Sequence, residues 1–370
     1  MTTEQIYTLV NSVNAQAFGS TALTVADTTS LISLGNTVLS SSANTEAFLN
    51  TLAQRIGRTI LRFREYNNKL GNMVLNDFEY GAILQKIKVN MPAAEEDQMY
   101  DLTDGYSIDH YVVAKPDVTQ KLFVTRTPYQ FKITVQRETL REAFLSETAM
   151  GSFIGVIFGE VRNAIEVSLE NLARVTLATG IAETAGTARE VQLLSKYLIE
   201  TGLTVTADEA FHDAAFQRFA MRVIKETTDG MTDMSDLYND GSVHTFTPYE
   251  DQRILVNTKF ERALETVVQY AAFHDNYVSF PESYKVLNFW QSAQTPTSVK
   301  IKRPSDDTET TVENVVAMVH DRDAMGVYKI EEDVLTTPVN AAGAYYNTFW
   351  HEKQLRFIDL SENIVIFTLS

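Results

Sequence analysis

Residues 139–178 read TLREAFLSETAMGSFIGVIFGEVRNAIEVSLENLARVTLA, and this stretch is the longest helical signal in the chain. Thr139 and Glu142 have the spacing of a capping box at its start, and Ser146 is a second candidate N-cap. Apolar residues follow at helical spacing through to Ala178. The stretch therefore predicts one long helix, and the other segments can be placed around it.

Three glycines recur every four residues within this helix: Gly151, Gly155 and Gly159. At that spacing they line one face. Each glycine costs a helix about 1 kcal/mol relative to alanine, so a row of them indicates that another backbone approaches this face closely. We interpret the row as a packing surface of a soluble protein and as a candidate subunit interface.

Residues 1–75, upstream of the long helix, predict helices and loops. The predicted helices cover residues 6–13, 28–39 and 44–66. On the third helix, Arg55, Arg58 and Arg62 share the face opposite the apolar one. This basic stripe has three interpretations: a solvated helix face, a contact for an acidic neighbouring subunit or assembly factor, and a contact for packaged DNA.

The pattern changes to strands in residues 79–89 and 121–135, which are rich in β-branched and aromatic residues and flank an acidic stretch. The carboxylates of that stretch are either a paired acid and base or, more simply, a solvated or partner-facing tip. A hairpin of this length cannot bury both faces against its own domain, so we expect it to pack on a neighbouring subunit. Its candidate interface residues are Lys86, Lys88, Glu95, Glu96 and Asp97.

Residues 206–338 predict a separate α/β lobe, and residues 339–370 return to strands. The predicted helices of the lobe are 208–225 and 261–273, and its predicted strands are 254–256, 285–290, 299–302, 308–312 and 315–319. The final strands, at 355–358 and 363–369, are expected to hold the end of the sequence in a sheet.

Composition excludes several classes of protein. Without cysteine the chain has no disulfide framework, thiolate metal cluster or cysteine nucleophile. A formal net charge of -17 argues against a general nucleic-acid binder, although an acidic wall is compatible with a container for DNA. The start of the sequence predicts no signal peptide. The most apolar stretch, 149–158, has about half the length that a bilayer requires, so we expect no membrane span.

The chain has none of the motifs that cradle phosphates or assemble a nucleophile, so we expect neither a cofactor nor an enzyme. Residues 236–241 resemble the start of a calcium loop, but Tyr238 and Thr247 occupy ligand positions, which favours a solvated acidic loop and no metal. Asp208 and His212 are four residues apart on a predicted helix, where a capping acid beside a surface histidine is the simpler interpretation.

His320 and Asp323 follow a predicted buried strand, a place where α/β enzymes often carry catalytic groups. A charged turn that closes the strand explains both residues more simply. A soluble hydrolase using this pair is nevertheless kept as a competing hypothesis.

The order of the segments resembles the Hong Kong 97-type capsid fold, the α+β fold of tailed-phage and herpesvirus shells. Two local stretches also resemble phage major head proteins: AMVHDRDAMG at 317–326 and GAYYNTFW at 343–350. The resemblance covers essentially the whole chain. It implies an N-terminal arm in residues 1–75, an extended β-hairpin or E-loop in 76–135, the first part of a P-domain with the spine helix in 136–205, an inserted α/β A-domain in 206–338, and C-terminal P-domain strands in 339–370.

What this family implies is a structural subunit that forms pentamers and hexamers and closes into an icosahedral shell around double-stranded DNA. The implied partners are other copies of the chain, a separate scaffolding protein, a portal and non-specifically held DNA. The implied location is the virion, after assembly in the host bacterial cytoplasm. A nanocompartment shell of the encapsulin type is the alternative use of the same fold. In either shell we expect the N-terminal helices and the hairpin to be buried only against other copies.

Overall fold

The computed structural model describes residues 3–19, 23–56, 66–75, 84–92, 94, 104–105, 111, 113–271 and 284–370. The α-helices in these ranges are α1 (Thr3–Phe18), α2 (Thr28–Leu39), α3 (Ser42–Ile56), α4 (Arg137–Ala143), α5 (Glu147–Phe153), α6 (Gly159–Thr184), α7 (Leu193–Thr201), α8 (Ala214–Gly230) and α9 (Thr258–Ala271). The β-strands are β1 (Val74–Leu75), β2 (Leu84–Val89), β3 (Val118–Phe123), β4 (Arg126–Gln136), β5 (Glu190–Gln192), β6 (Gln252–Asn257), β7 (Tyr284–Leu287), β8 (Val299–Lys302), β9 (Glu309–Val312), β10 (Val315–Asp321), β11 (Met325–Thr336), β12 (Tyr345–Ile358) and β13 (Ile364–Thr368).

The chain divides into two units, each with its own sheet. Unit 1 comprises Met1–Tyr80, Arg126–Ala173 and Val327–Arg356, and unit 2 comprises Gly81–Thr125, Arg174–Gly326 and Phe357–Ser370. The predicted mixture of helices and strands is therefore observed in both units.

The three N-terminal helices pack within unit 1. Val10 and Val13 of α1 are fully buried, and α1 contacts both α3 and α5. Gly35 allows α2 to lie against Phe144, since a Cβ atom at Gly35 would stand only 2.6 Å from that of Phe144. The expectation that these helices are buried only by other copies is wrong, because their apolar stripes face one another and α5.

The long helix begins later than predicted. α4 is separate, starts at Arg137 and has no side-chain cap, so the capping box predicted at Thr139 and Glu142 is wrong. Ser146 is the true N-cap of α5, because its hydroxyl accepts a hydrogen bond from the Ala149 N–H. A single π-helical turn, Ile154–Phe158, then joins α5 to α6, which continues beyond the predicted end to Thr184.

The π turn also changes the geometry of the three glycines. It inserts an extra residue and rotates the following part of the helix, so a four-residue spacing no longer marks one face. A Cβ atom at Gly151 would lie 3.0 Å from a side-chain carbon of Ile6, and one at Gly159 would meet nothing within 4 Å. At these two positions no other backbone approaches closely within the described residues of this chain. Their place in a subunit interface stays a prediction.

The sheet of unit 1 has the strand order β1-β11-β12-β4. β12 and β4 are antiparallel and stay in register from Tyr345 opposite Gln136 to Leu355 opposite Arg126. Alternation along β12 buries Trp350, whose ring meets that of Phe158 edge-on with centroids 5.8 Å apart. The π turn, which contains Phe158, thus contributes to the core of unit 1.

The sheet of unit 2 has the strand order β5-β13-β10-β6-β7. Every residue of β10 and of β13 is buried, as is typical of strands covered on both faces. Phe367 of β13 belongs to the core that this sheet shares with α7, α8 and α9, where the rings of Tyr197 and Phe216 meet edge-on at 5.4 Å. This core sits in the middle of unit 2.

The strands predicted for the lobe are confirmed as β6 to β10, with small shifts of their ends. The helix predicted from Asp208 is wrong at its start, because α8 begins at Ala214 with Asp213 as its N-cap and a separate 3₁₀ turn covers Glu209–Phe211. The two terminal strands, grouped in one segment by the sequence, lie in different sheets: β12 in unit 1 and β13 in unit 2.

Candidate assembly surface

The hairpin formed by β2 and β3, called the ribbon from here on, has two chemically different faces. The strands pair antiparallel from Leu84 opposite Phe123 to Val89 opposite Val118. Side chains alternate between the faces with a period of two. One face carries three partly covered lysines, Lys86, Lys88 and Lys121. The same face also carries the partly covered Leu84 and Phe123. The other face is exposed and carries Ile87, Val89, Val118 and Leu122 together with Gln85 and Gln120. Lysines thus point inward while four aliphatic side chains point outward, which departs from the usual alternation.

Lys86 and Lys121 are directly opposite each other in the ribbon. Like charges in that position destabilise a hairpin. Asp359 offsets the repulsion, because its Oδ2 lies 3.1 Å from Nζ of Lys86 and its Oδ1 lies 2.9 Å from Nζ of Lys121. One fully buried carboxylate thus bridges the two strands.

Two further carboxylates complete this group. Glu362 forms ion pairs with both Lys86 and Lys88, the latter at 2.7 Å. Asp240 lies 3.6 Å from Nζ of Lys121. The six side chains, called the ribbon-base cluster from here on, are Lys86, Lys88, Lys121, Asp240, Asp359 and Glu362. Three positive charges meet three negative ones, so the cluster has no net charge.

The tight turn before β13 holds Asp359 in place. Its Oδ1 accepts hydrogen bonds from the backbone N–H and the hydroxyl of Ser361, at 3.1 and 2.7 Å. Its own N–H donates to the carbonyl oxygen of Ala324 at 2.7 Å. The carboxylate is therefore positioned by contacts within its own turn as well as by the lysines.

Burial and charge act in opposite directions in this cluster. Burial alone would raise the pKa of Asp359, but the Ser361 hydroxyl and the charges of Lys86 and Lys121 hold that pKa well below its ordinary value. Burial alone would lower the pKa of Lys86, but Glu362 and then Asp359 raise it above its ordinary value. Both groups are therefore charged over the whole neutral range.

The opposite face of the ribbon has no cover among the described residues of unit 2. Its apolar side chains are more than half exposed: Ile87 59%, Val89 57%, Val118 51% and Leu122 56%. Val89 and Val118 are cross-strand partners, whereas Ile87 is paired with Gln120 and Leu122 with Gln85. The four aliphatic side chains, called the strip from here on, therefore share one face with two glutamines among them. This strip is the candidate surface for contact with another molecule.

Most of the interface residues predicted from the sequence are not tested by the structure. The side chain of Arg55, and all of Arg58, Arg62, Glu95, Glu96 and Asp97, lie outside the described residues. Lys86 and Lys88 are described, and they contact unit 2 of their own chain rather than pointing away from it. Whether the predicted residues meet another subunit stays a prediction.

The residues considered for catalysis do not form a site. His320 is fully buried, its Nδ1 lies 2.7 Å from the carbonyl oxygen of Asp321, and burial lowers its pKa to about 4. Asp323 is exposed and pairs with Arg322 at 3.6 Å. The two candidates are thus separated by burial, and the simpler interpretation, a charged turn, agrees with this geometry.

The described residues contain no group of three or more His, Cys, Asp or Glu side chains that could hold a metal ion. Within the same ranges no helix combines the length and the apolar character needed to cross a membrane.

The sequence analysis missed Asp240, Asp359 and Glu362 as partners of the ribbon. A signal was present in the alternation of β2, where Lys86 and Lys88 share one face and Ile87 and Val89 share the other. Two lysines on one strand face need carboxylates only if that face is covered, and the alternation alone does not say which face is covered. The sequence could not identify which carboxylates, because the partners lie more than a hundred residues away along the chain.

Two solved structures are similar to this chain in fold. One is the capsid structure of Staphylococcus phage Andhra, which matches with a TM-score of 0.51 and 12% identity over 84% of this chain and 87% of the other. The second is a chain in the structure of the head fiber and inner core protein gp22 of native bacteriophage P68, with a TM-score of 0.52 and 12% identity over the same shares. At these identities the likeness concerns the fold alone: a mixed helix and strand fold found in phage capsids.

The proteins that are similar to this chain in sequence are also phage capsid proteins. The chain is 22% identical over 332 residues to the major capsid protein of Streptococcus phage Cp-1, covering 86% of this chain and 81% of that protein. It is 23% identical over 327 residues to the major capsid protein of Bacillus phage PZA, and spans 63% of that protein's length. These relatives are structural capsid proteins and not enzymes. The model of the Phi29-like phage major capsid proteins matches residues 9–368. The chain belongs to that family and is a capsid protein of a phage virion.

Proposed function

We propose that this chain assembles as pentamers and hexamers into an icosahedral head that encloses double-stranded DNA. The observation that carries the proposal is the ribbon, which turns its lysines toward its own unit and leaves Ile87, Val89, Val118 and Leu122 exposed. In a shell, each copy would cover this strip on its neighbour. Repeated burial of one strip by identical copies is how symmetric assemblies form.

The segments implied by the Hong Kong 97-type fold are part of this proposal. The ribbon lies in the proposed E-loop, residues 76–135, and α5 with α6 corresponds to the proposed spine helix. The proposed A-domain, 206–338, contains β6, β7 and β10 of the sheet of unit 2. The proposed P-domain contains β12 of the sheet of unit 1, and the other strands of that sheet lie in the proposed N-terminal arm (β1), E-loop (β4) and A-domain (β11). In the proposed N-terminal arm, residues 1–75, the described helices are already packed within unit 1.

The proposed partners are other copies of the chain, a separate scaffolding protein, a portal and DNA held without sequence preference. The formal net charge of -17 supports weak, non-specific contact with DNA, because an acidic wall repels phosphates and lets packaged DNA slide. We propose that assembly takes place in the host bacterial cytoplasm.

Electron microscopy of the expressed chain tests the proposal. We expect capsomers or closed particles when the chain is produced with the scaffolding protein of the same phage. A chain that stays monomeric in light scattering, both with and without scaffold, would contradict it. A variant in which residues 91–117 are replaced by a short Gly-Ser turn should keep its folded units and fail to close shells.

The basic stripe has its own test. Reversing the charge at Arg55, Arg58 and Arg62 together should lower particle yield if the stripe contacts an acidic neighbour or scaffold. An unchanged yield with a full complement of DNA would leave a solvated helix face as its interpretation. Nucleic acid inside the purified particles would separate a phage head from a nanocompartment that stores a protein.

A further inference from the structure

Three polar side chains form a row across adjacent strands at one end of the sheet of unit 2. Asp321 of β10 is the cross-strand partner of Gln252 on β6. On its other side, the N–H of Asp321 donates to the carbonyl oxygen of Asn363, which immediately precedes β13. Directly opposite residues of neighbouring strands place their side chains on the same face of a sheet. Gln252, Asp321 and Asn363 therefore share one face.

The loop residue Thr247 draws the row together. Its hydroxyl donates to Oδ2 of Asp321 at 2.7 Å and accepts from Nδ2 of Asn363 at 3.1 Å. Nε2 of Gln252 donates to the carbonyl oxygen of Thr247 at 3.1 Å. All three side chains of the row thus converge on one residue, and Thr247 itself is fully buried.

Both amides of this group leave an oxygen without a hydrogen bond. Gln252 is 1% exposed and Asn363 is 0% exposed, yet Oε1 of Gln252 and Oδ1 of Asn363 have no hydrogen-bond partner among the described residues. A buried polar atom left unpaired costs about 1 to 3 kcal/mol. The nitrogen of each amide donates to Thr247, so each unpaired oxygen belongs to an amide group that contacts that residue. Two unpaired acceptors around one residue call for a group that attracts oxygen atoms.

The carboxylate in the middle of the row also lacks a counter-charge. Asp321 accepts hydrogen bonds only from neutral groups, the Thr247 hydroxyl and the Asp323 N–H, and forms no ion pair with any described residue. Burial raises the pKa of Asp321, and the nearby charges of Glu362 and Asp323 raise it further. A cation at this place would compensate the carboxylate and coordinate the two amide oxygens at once.

We propose that Gln252, Asp321, Asn363 and Thr247 form a buried binding site for a hard cation, with Ca²⁺ as the best match. The donors are all oxygen atoms, one carboxylate, two amide carbonyls and a hydroxyl, which is the ligand chemistry that Ca²⁺ prefers. Mg²⁺ fits less well because it requires near-ideal octahedral geometry and gives up its water reluctantly. A single carboxylate predicts weak affinity, with a Kd on the order of 10⁻⁴ to 10⁻³ M.

The position of the site gives it a structural role. It joins β6, β10 and the start of β13 with the loop at Thr247, and Asn363 follows Glu362 of the ribbon-base cluster. A cation bound here would fix the turn that positions Glu362 and Asp359. Ca²⁺ would therefore stabilise unit 2 and the base of the ribbon together.

The test uses the full chain after removal of metals with a chelator. In equilibrium dialysis the wild type should bind one Ca²⁺ per subunit at saturation. The Tm of the wild type should rise with Ca²⁺ concentration, because Ca²⁺ binds the folded state. Asp321→Asn keeps the shape of the side chain and removes its charge. We expect it to weaken Ca²⁺ binding at least about tenfold.

Two further variants keep the test decisive. Asn363→Asp adds a second carboxylate and keeps the hydrogen bonds that Nε2 of Gln252 donates to the carbonyl oxygens of Thr228 and Thr247. It should tighten Ca²⁺ binding, which checks the site even if Asp321→Asn fails to fold. Asp236→Asn, in the exposed acidic loop, is the matched control and should leave binding unchanged. Absence of bound Ca²⁺ in the wild type at about 10 mM would overturn the proposal, as would equal binding by the wild type, Asp321→Asn and Asn363→Asp. A buried water molecule would then satisfy the two amide oxygens.

Discussion

The central strands of unit 2 and the ribbon are both β-structure, but they bury their side chains in opposite ways. β10 and β13 are buried at every position, on both faces, by other parts of unit 2. β2 and β3 alternate, with lysines covered and aliphatic side chains exposed. The difference separates two strands that unit 2 covers completely from a ribbon whose aliphatic strip has no cover among the described residues of its own unit.

The largest predicted effect is in the sheet. Phe367→Ala removes a fully buried ring from β13 and should lower the free energy of unfolding by about 3 to 5 kcal/mol, measured by urea denaturation. Leu122→Ala, on the exposed face of the ribbon, is the matched control and should change it by less than about 0.5 kcal/mol. Equal losses in the two variants would remove the distinction between the two regions.

The next effect is in the ribbon-base cluster. Replacing both Lys86 and Lys121 by Met leaves the buried carboxylate of Asp359 without its cations, and we expect a loss of about 2 to 3 kcal/mol. Adding Asp359→Asn to that double variant should recover part of the loss, because the uncompensated charge is gone. Failure of this third substitution to recover stability would show that the lysines act through packing.

The same cluster predicts a pH dependence. The pKa of Asp359 is lowered from its ordinary 3.8, so its contribution to stability is present above pH 3.8 and is lost as pH falls through the folded-state value. The pKa of Lys86 is raised from its ordinary 10.5, so its contribution is present below pH 10.5 and is lost as pH rises through the folded-state value. Thermal unfolding of the wild type and of the Lys86→Met, Lys121→Met variant should therefore differ most between these limits and converge outside them.

A smaller effect is expected where the N-terminal helices pack. Gly35→Ala places a methyl group 2.6 Å from Cβ of Phe144 and should cost about 1 to 3 kcal/mol. Gly71→Ala meets nothing within 4 Å and serves as the control. If Gly35→Ala left the free energy of unfolding unchanged, α2 would not be held against Phe144. The N-terminal helices would then resemble the ribbon, whose aliphatic strip is uncovered, rather than the fully covered strands of the sheet.

The smallest effect on stability is expected on the strip itself. Ile87→Asp with Leu122→Asp should leave the free energy of unfolding of the isolated subunit within about 0.5 kcal/mol of the wild type, because both side chains are exposed. Assembly should fail in the same variant, since burying two unpaired carboxylates against a neighbour is unfavourable. Sedimentation of assembly reactions measures this, with Gln85→Asp as a control for charge on the same face. Normal particles would exclude the strip from any interface.

Local patterns in the sequence predicted many elements of this fold. The α2 helix at 28–39 and the buried strand from Val315 follow from apolar periodicity, and both are confirmed. The π turn at Ile154–Phe158 was not predictable, because the local apolar pattern continues through it unchanged; Phe158 of this turn packs against Trp350, far away in the chain. The packing of the N-terminal helices was mispredicted for a related reason: their apolar stripes are the same whether another copy or their own unit covers them.

The candidate surface was predictable only in part. Alternation in β2 placed Lys86 and Lys88 in a strand but did not indicate which way they point. That direction depends on Asp359 and Glu362, whose position comes from the turn before β13 and not from any local pattern. Sequence order thus predicted the hairpin, and tertiary contacts decided which of its faces remains open.

The strand order of unit 2 has a consequence for synthesis. Residues 364–368 form β13, which lies between β5 and β10 rather than at an edge. While a ribosome is still translating the residues before Ile364, the sheet lacks an inner strand, and the turn that carries Asp359 and Glu362 has no anchor on its far side. A chain that has not yet formed β13 therefore lacks the anchored carboxylates that hold the ribbon lysines, and the strip takes its orientation only after β13 has joined the sheet.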